Sequence, residues 1–333
     1  MHRTGQAAIL CAVGLICANA HAQEPNDPSA PAPAPATAPA GSAAPATETA
    51  PATPPAPAQG DKLTITLTPR FSYTFDSNLK NSDTGSSIYR AGTGLSLAAP
   101  LGERWRWSID LNEEASWYNW SNVSRLIPSS TGVQPISDGY AINIVPGFAY
   151  GIDRQWTVVG GAIIDFTGDR NADVGRSGTY GGYGGVRYTV SDKLSLTFGI
   201  IAKSRLDNRT VLAPLIGVNW QISDKVYLNT DRLGARLSAQ VAPDWTFSIF
   251  GRYELREYRL DSDSSVPDGV MRDTRVPIGV GVAWEPCKRF RLGLDGGVIV
   301  YQEFIFDDKN GNRVAKDRAD PTGFVGISAQ IRF

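Results

Sequence analysis

Histidine and cysteine are nearly missing from this chain. Both histidines, His2 and His21, and two of the three cysteines, Cys11 and Cys17, lie in the first 22 residues, which leaves Cys287 as the only thiol beyond them. A Ser/His/Asp hydrolase needs an imidazole to take the serine proton, and a zinc site draws on several His or Cys ligands. Residues 23–333 can build neither, and a disulfide needs a second thiol. An excess of one charge is missing too. Lys and Arg number 32 against 33 Asp and Glu, a net charge of -1, so no basic surplus exists to hold a phosphate backbone and nucleic acid is not an expected partner. Long apolar runs are also absent, and the mean hydropathy is only -0.19. That excludes a bundle of membrane-spanning helices, but it does not count against a membrane β-barrel, whose polar inward residues interrupt every apolar stretch.

What is present begins with a leader. A short basic stretch ends at Arg3, an apolar run covers 7–18, and Ala20-His21-Ala22 supplies small residues at its close. This order predicts a cleaved secretory signal peptide over residues 1–22. The run is shorter than the roughly 20 residues that a spanning helix needs, and Ile16 before Cys17 argues against lipidation. Residues 23–61 are mostly Ala, Pro and Thr, with 11 of the 22 prolines. Proline fixes φ and removes backbone donors, so this stretch is expected to be an extended periplasmic linker with a reach on the order of 100 Å at about 3.1 Å per residue. It is either a plain spacer or a tether to a periplasmic or cell-wall partner.

From residue 62 the period becomes two. Leu63, Ile65, Leu67, Pro69, Phe71, Tyr73 and Phe75 take one face, and Thr64, Thr66, Thr68, Arg70, Ser72 and Thr74 the other, which is a β-strand with one apolar and one polar face. The pattern recurs at 105–112, 245–254 and 290–300. Short turns near 100–104, 151–155, 191–193, 223–225, 242–244 and 285–289 alternate with long connections such as 76–87, 119–138, 168–177, 261–273 and 307–320. Alternating short and long connections describe an up-and-down antiparallel meander with its tight turns at one end. Trp105, Trp156 and Trp245 directly follow short turns and Trp220 and Trp284 shortly precede others. Ordinary core packing does not explain that common placement, whereas a membrane-interface girdle does.

The fold class predicted is therefore all-β, an antiparallel transmembrane barrel of about 14 strands over residues 62–333. Strands are expected at 62–75, 88–99, 105–118, 139–150, 155–167, 178–190, 194–205, 210–222, 225–231, 233–241, 245–260, 274–285, 289–306 and 321–333. If the weakly alternating 225–231 and 233–241 form a hairpin that does not span, the count is 12. Closure is required, because an open edge in hydrocarbon leaves backbone groups without partners.

Two stretches carry a resemblance. The ending Ala329-Gln330-Ile331-Arg332-Phe333, with Ile331 and Phe333 apolar at alternate positions, resembles the terminal signal read by the barrel-assembly machinery of Gram-negative outer membranes, although Ser328 stands where that signal usually has glycine. Asp231-Arg232-Leu233-Gly234-Ala235-Arg236-Leu237-Ser238, Pro243-Asp244-Trp245 and Tyr258-Arg259-Leu260-Asp261 resemble an uncharacterised outer-membrane barrel family over 62–333. The resemblance implies a fold and a bacterial outer-membrane location, with lipid as the surrounding partner, but no activity.

Turning the apolar phase outward places Arg70, Arg90, Arg106, Arg187, Lys203, Arg236, Arg252, Arg256, Arg291 and Arg332 in the lumen, with Asp110, Glu114, Asp165, Glu254, Asp295 and Glu303. Ten cations against six anions is a net of about +4, enough to bias ions in a narrow conduit. The same charges can instead pair across strands and fill the barrel. Gly181-Gly182-Tyr183-Gly184-Gly185 lies inside a strand and opens no helix, so it is not a phosphate loop. Asp307-Asp308-Lys309-Asn310-Gly311-Asn312 lacks the glycine that an EF-hand needs at Arg313. Asp261, Asp263, Asp268 and Asp273 read as solvated loop charge. No catalytic, cofactor or metal site is expected. The expected function is a passive channel for small solutes, with a filled barrel of structural or interaction role as the alternative.

Overall fold

The computed structural model describes residues 63–128, 132–207, 209–231 and 233–333. The expected signal peptide and the whole of the expected linker lie outside them. Sixteen strands follow one another in these residues: β1 (Thr64–Asn78), β2 (Gly85–Leu101), β3 (Trp105–Ser121), β4 (Asp138–Gly151), β5 (Trp156–Asp169), β6 (Gly178–Ser191), β7 (Leu194–Ser204), β8 (Thr210–Ser223), β9 (Val226–Asp231), β10 (Gly234–Ala242), β11 (Trp245–Arg252), β12 (Glu254–Arg259), β13 (Val270–Cys287), β14 (Phe290–Asp307), β15 (Arg313–Ala319) and β16 (Thr322–Arg332). Each of β1 to β10 pairs antiparallel with the next, β11 pairs with β13, β13 with β14 and β14 with β16. β16 returns to β1, with Phe71 facing Ile327 and Thr66 facing Arg332. This is a closed 14-strand barrel.

Alternation dictates which face each strand shows. Phe71, Phe148, Phe198, Ile216, Phe247, Ile249, Val280, Leu294 and Ile327 point outward and stay exposed, with Leu212 at 71%. An apolar belt of this extent, carried right round the ring, has no place on a water-soluble surface, and the ring is a transmembrane barrel of the outer-membrane type. At the short-turn end the aromatic residues pair across strands. Trp105 lies 4.7 Å from Tyr150, Trp156 lies 4.6 Å from Tyr188 and Trp245 lies 6.4 Å from Trp284, measured between ring centroids. Trp220 is exposed at the same end of β8.

Three expectations about the elements are corrected. The expected strand 245–260 is present as β11 and β12, interrupted only at Tyr253, and its register on β13 is continuous across the break, with Gly251 facing Ile278 and Glu254 facing Arg275. The connection 307–320 contains a strand, β15, which extends the wall beyond the ring by pairing with β14. The connection 119–138 contains a single helical turn, α1 (Val123–Leu126). The weak hairpin is part of the ring but is short: β9 has six residues and β10 nine, and β8 pairs with β9 only from Asn219 to Ser223.

The core sits at the long-loop end, not at mid-barrel. Leu79, Ile88, Tyr118, Trp120, Ile127, Ile136, Met271, Phe304 and Phe306 are buried together there. Trp120 stands edge-on to Phe304 at 5.0 Å and donates its indole N–H to the Ile136 carbonyl at 2.9 Å.

Candidate functional site: the barrel lumen

β12 positions the most densely charged part of the interior. Its inward residues Glu254, Arg256 and Tyr258 reach across the lumen to β3 and β4. The Arg256 Nε donates to Glu114 at 2.8 Å, its Nη1 donates to Glu254 at 2.8 Å, and the Tyr258 hydroxyl meets the Ser116 hydroxyl at 3.1 Å. Gly139 makes this possible, because a Cβ there would sit 2.8 Å from the Tyr258 ring. The tip of β12 even forms a parallel bridge with β5, Arg259 to Gly168. A second layer joins from β2, β13 and β14: Arg90 donates to Asp273 at 2.6 Å, Tyr118 donates to the same carboxylate at 3.1 Å, and Gln302 donates to it at 2.9 Å. Arg275 donates to Glu254 and to the Thr74 hydroxyl. Three guanidinium groups, Arg90, Arg256 and Arg275, thus meet three carboxylates, Glu114, Glu254 and Asp273, all buried. The group is neutral in sum and, with the apolar core above it, lies across the long-loop half of the lumen.

Below that layer the lumen holds small gaps. One is lined by Arg70, Arg90, Glu114, Arg252, Arg275, Asp295, Ile299 and Phe324. A second lies between Thr68, Arg236, Ser248, Arg291, Asp295, Ser328 and Gln330. The two share Asp295 and Ser328. Arg236 holds Asp295 through two hydrogen bonds of 3.2 Å and donates to Ser248 at 2.7 Å. Phe250 lies under both Arg236, at 4.3 Å, and Arg252, at 5.2 Å. A third cavity lies beside β12 among Asn143, Asp165, Lys203, Arg256, Glu257 and Tyr258. Lys203 pairs there with Asp165, which also accepts from Asn143.

The positions expected in the lumen fall into groups. Arg90, Glu114, Glu254 and Arg256 form the buried layer, and Arg252 attaches to it through Glu254. Arg70, Arg236, Arg291 and Asp295 line the two lower cavities. Asp165 and Lys203 line the third. Asp110 accepts from Ser96 at 2.5 Å and Arg332 donates to Glu285 at 3.1 Å towards the short-turn end. Arg187 is buried on β6, and Arg106 is half-buried on β3. The structure corrects two readings. Glu303 is turned to the outer face, where it pairs with Lys316 and Arg318 of β15 at 3.2 and 3.1 Å. Its strand carries a bulge, in which Pro277 faces Ile299 and Val276 faces Tyr301. The extra residue, Val300, inverts the phase, so Gln302 points inward in its place. Asp273 is no loop residue but a buried member of β13.

Sequence reasoning missed an apolar inner stripe. Val145, Ile163, Tyr183, Ile201 and Leu215, one from each of β4 to β8, are buried together on the inside. Tyr183 faces Ile201 directly across the ladder, and Ile163 faces Gly181, so the stripe steps round the wall with the tilt of the strands. The signal was present, since these residues hold the polar phase of their strands.

Residues 181–332, which run from β6 to β16, match the family model described as a domain of unknown function, DUF6268. The match covers the second part of the 62–333 span in which the sequence resembles an uncharacterised outer-membrane barrel family. Among solved structures, the toluene transporter TodX of Pseudomonas putida is 11% identical, covering 82% of this chain and 90% of that one with a TM-score of 0.45. An outer membrane channel from Pseudomonas putida F1 is 12% identical over 83% and 97%, with a TM-score of 0.44. A Pseudomonas aeruginosa FadL homologue is 12% identical over 81% and 90%, at 0.43. No curated protein matches the chain in sequence.

Proposed function

We propose that this chain is a passive outer-membrane channel for small solutes, with its short turns and Phe333 on the periplasmic side. The observation that carries the reading is the pair of adjoining cavities that share Asp295 and Ser328 and climb from the short-turn half to the buried ionic layer. Their lining of arginine, serine, threonine and glutamine suits solvated molecules. Selectivity for anions is weaker than ten cations against six anions implies, because Arg90, Arg236, Arg252, Arg256, Arg332 and Lys203 each have a carboxylate partner. Membrane insertion rests on the apolar belt and on the aromatic pairs at the short-turn rim, where amphipathic rings sit well at a lipid interface. Ile331 and Phe333 end the strand that closes the ring, which suits them to the assembly signal. The test is uptake. Cells lacking general porins and expressing the full chain are offered neutral sugars, small organic anions and small aromatics. Entry of at least one class above the empty-vector rate supports the channel, and entry of none favours a filled barrel.

The filled barrel has one observation in its favour. The neutral, buried layer of Arg90, Glu114, Glu254, Arg256, Asp273 and Arg275 is a packed polar core of the kind that holds walls together. On that reading the loops and the segment before residue 63 carry the function.

A further inference from the structure

We propose that the outward face of β13 to β15 at the long-loop end holds the phosphate of an outer-leaflet glycolipid; this rests on the orientation given above, with the short turns on the periplasmic side. β15 extends the wall beyond the ring, and Arg313, Lys316 and Arg318 of that strand are exposed. Each is held over a carboxylate of β14. The Arg313 Nε donates to Asp307 at 2.7 Å, and Lys316 and Arg318 meet Glu303 at 3.2 and 3.1 Å. Arg272 of β13 pairs with Asp307 from the other side. The carboxylates of Asp307 and Glu303 lie underneath, 3% and 8% exposed, while the three β15 cations are about half exposed.

The charges in this patch do not balance. Four cations over two carboxylates leave a net of +2, and the layer that meets the surroundings is the cationic one. Arg272 also approaches Glu257 at 3.8 Å, but that carboxylate is already paired with Arg205. Bonds through Nε hold the Arg313 and Arg318 guanidinium groups in place and leave Nη hydrogens for a second acceptor. A phosphate brings several acceptor oxygens to donors fixed in this way, and such charge-assisted bonds are the strong ones.

Height decides whose phosphate it is. Thr274, which faces Glu303, stands ten residues above Trp284 of the short-turn rim on the same strand, or about 25 Å at about 3.3 Å per residue and about 40° of tilt. That is the full height of an apolar band about 25 Å tall. Ile278, Val280 and Val298 are exposed to lipid directly beneath. The wall changes from apolar to charged at Tyr301, whose ring centre lies 5.1 Å from the Arg318 guanidinium, and an amphipathic ring at that level marks the second interface. The cations therefore stand among the headgroups of the long-loop leaflet, where basic side chains are drawn to anionic lipid. In a bacterial outer membrane that leaflet is built of phosphorylated glycolipid.

The experiment titrates the full chain, purified in detergent and freed of lipid, with a bis-phosphorylated, acylated diglucosamine and with its dephosphorylated counterpart, and follows bound lipid by native mass spectrometry. The wild type is expected to hold the phosphorylated lipid about tenfold tighter. Arg313→Gln/Lys316→Gln/Arg318→Gln is expected to lose that preference, and Lys193→Gln/Lys225→Gln/Lys288→Gln at the short-turn end to keep it. Lys316→Arg/Arg318→Lys, which exchanges the two cations in place, is expected to keep it too. Equal affinity of the wild type for the two lipids overturns the site, whether or not the triple variant folds. So does an unchanged preference in the folded triple variant, and so does displacement of the lipid by millimolar inorganic phosphate, which would make free phosphate the ligand. Loss of the preference in the short-turn set alone overturns the site and the orientation together; the channel reading stands in every case.

Discussion

At the scale of single residues, the energetics separate two acidic side chains that the alternation pattern treats alike. Glu114 sits between Arg256 and Arg90 with all three buried. Removing one partner of a buried pair leaves an uncompensated charge, and Glu114→Ala is expected to destabilise the barrel by about 3–5 kcal/mol. Glu303 pairs with Lys316 and Arg318, whose side chains are 46% and 57% exposed. Glu303 is itself buried, but the cations it would leave behind are open to water, so Glu303→Ala is expected to cost about 1 kcal/mol, less than Glu114→Ala. The urea midpoint of the heat-modifiable band on gels measures both, and an equal loss in the two variants would refute the outward placement of Glu303. The sequence shows why one was legible and the other not. Glu114 lies in an unbroken run of period two, but between Asp295 and Glu303 the bulge at Val300 shifts the phase by one, and nothing in the residue types marks it. Asp273 was hidden differently: the inward phase of β13 includes it, but it lies just ahead of the run that alternation outlines.

Among the elements, β12 matters most for what the lumen can do. It continues β11 in register, yet β9 and β10 end below it, so its far edge is free to swing across to β3, β4 and β5. Alternation can show that 245–260 is one strand, and it does. The short strands expected at 225–231 and 233–241 already mark the neighbouring hairpin as a short one, but alternation cannot show a pairing between residues as distant as Arg259 and Gly168. The short length of β15 and the turn residues before it hid that strand as well. The crossing depends on the space left by Gly139. Gly139→Val places methyl groups where the Tyr258 ring lies and is expected to push β12 off β4. The outcome expected is a rise in single-channel conductance in planar bilayers above the wild-type level. A folded Gly139→Val barrel that conducts no better than the wild type would show that β12 does not limit conduction.

For the molecule as a whole, closure, strand number and the polarity of the two ends were legible, because each follows from a count: apolar residues at every second position, and short connections alternating with long ones. The apolar cluster at the long-loop end was not, since it is assembled from residues on β2, β3, β12, β13, β14 and β15 that only the closed ring brings together. The ring also decides what the chain needs in order to assemble. β1 begins at Thr64 and pairs on one side with β2 and on the other with β16, and the Phe333 N–H donates to the Ile65 carbonyl at 2.9 Å. Every ladder of the barrel is therefore completed by residues from 64 onward. A chain keeping the leader but lacking residues 24–60 is expected to insert with unchanged yield and the same heat-modifiable shift on gels, and its solute uptake should match that of the full chain. Loss of insertion would mean that the stretch is required for delivery to the membrane. Normal insertion with altered uptake would place it at the short-turn mouth of the lumen, where Arg291 and Arg332 lie, and would make it a part of the channel and not a spacer.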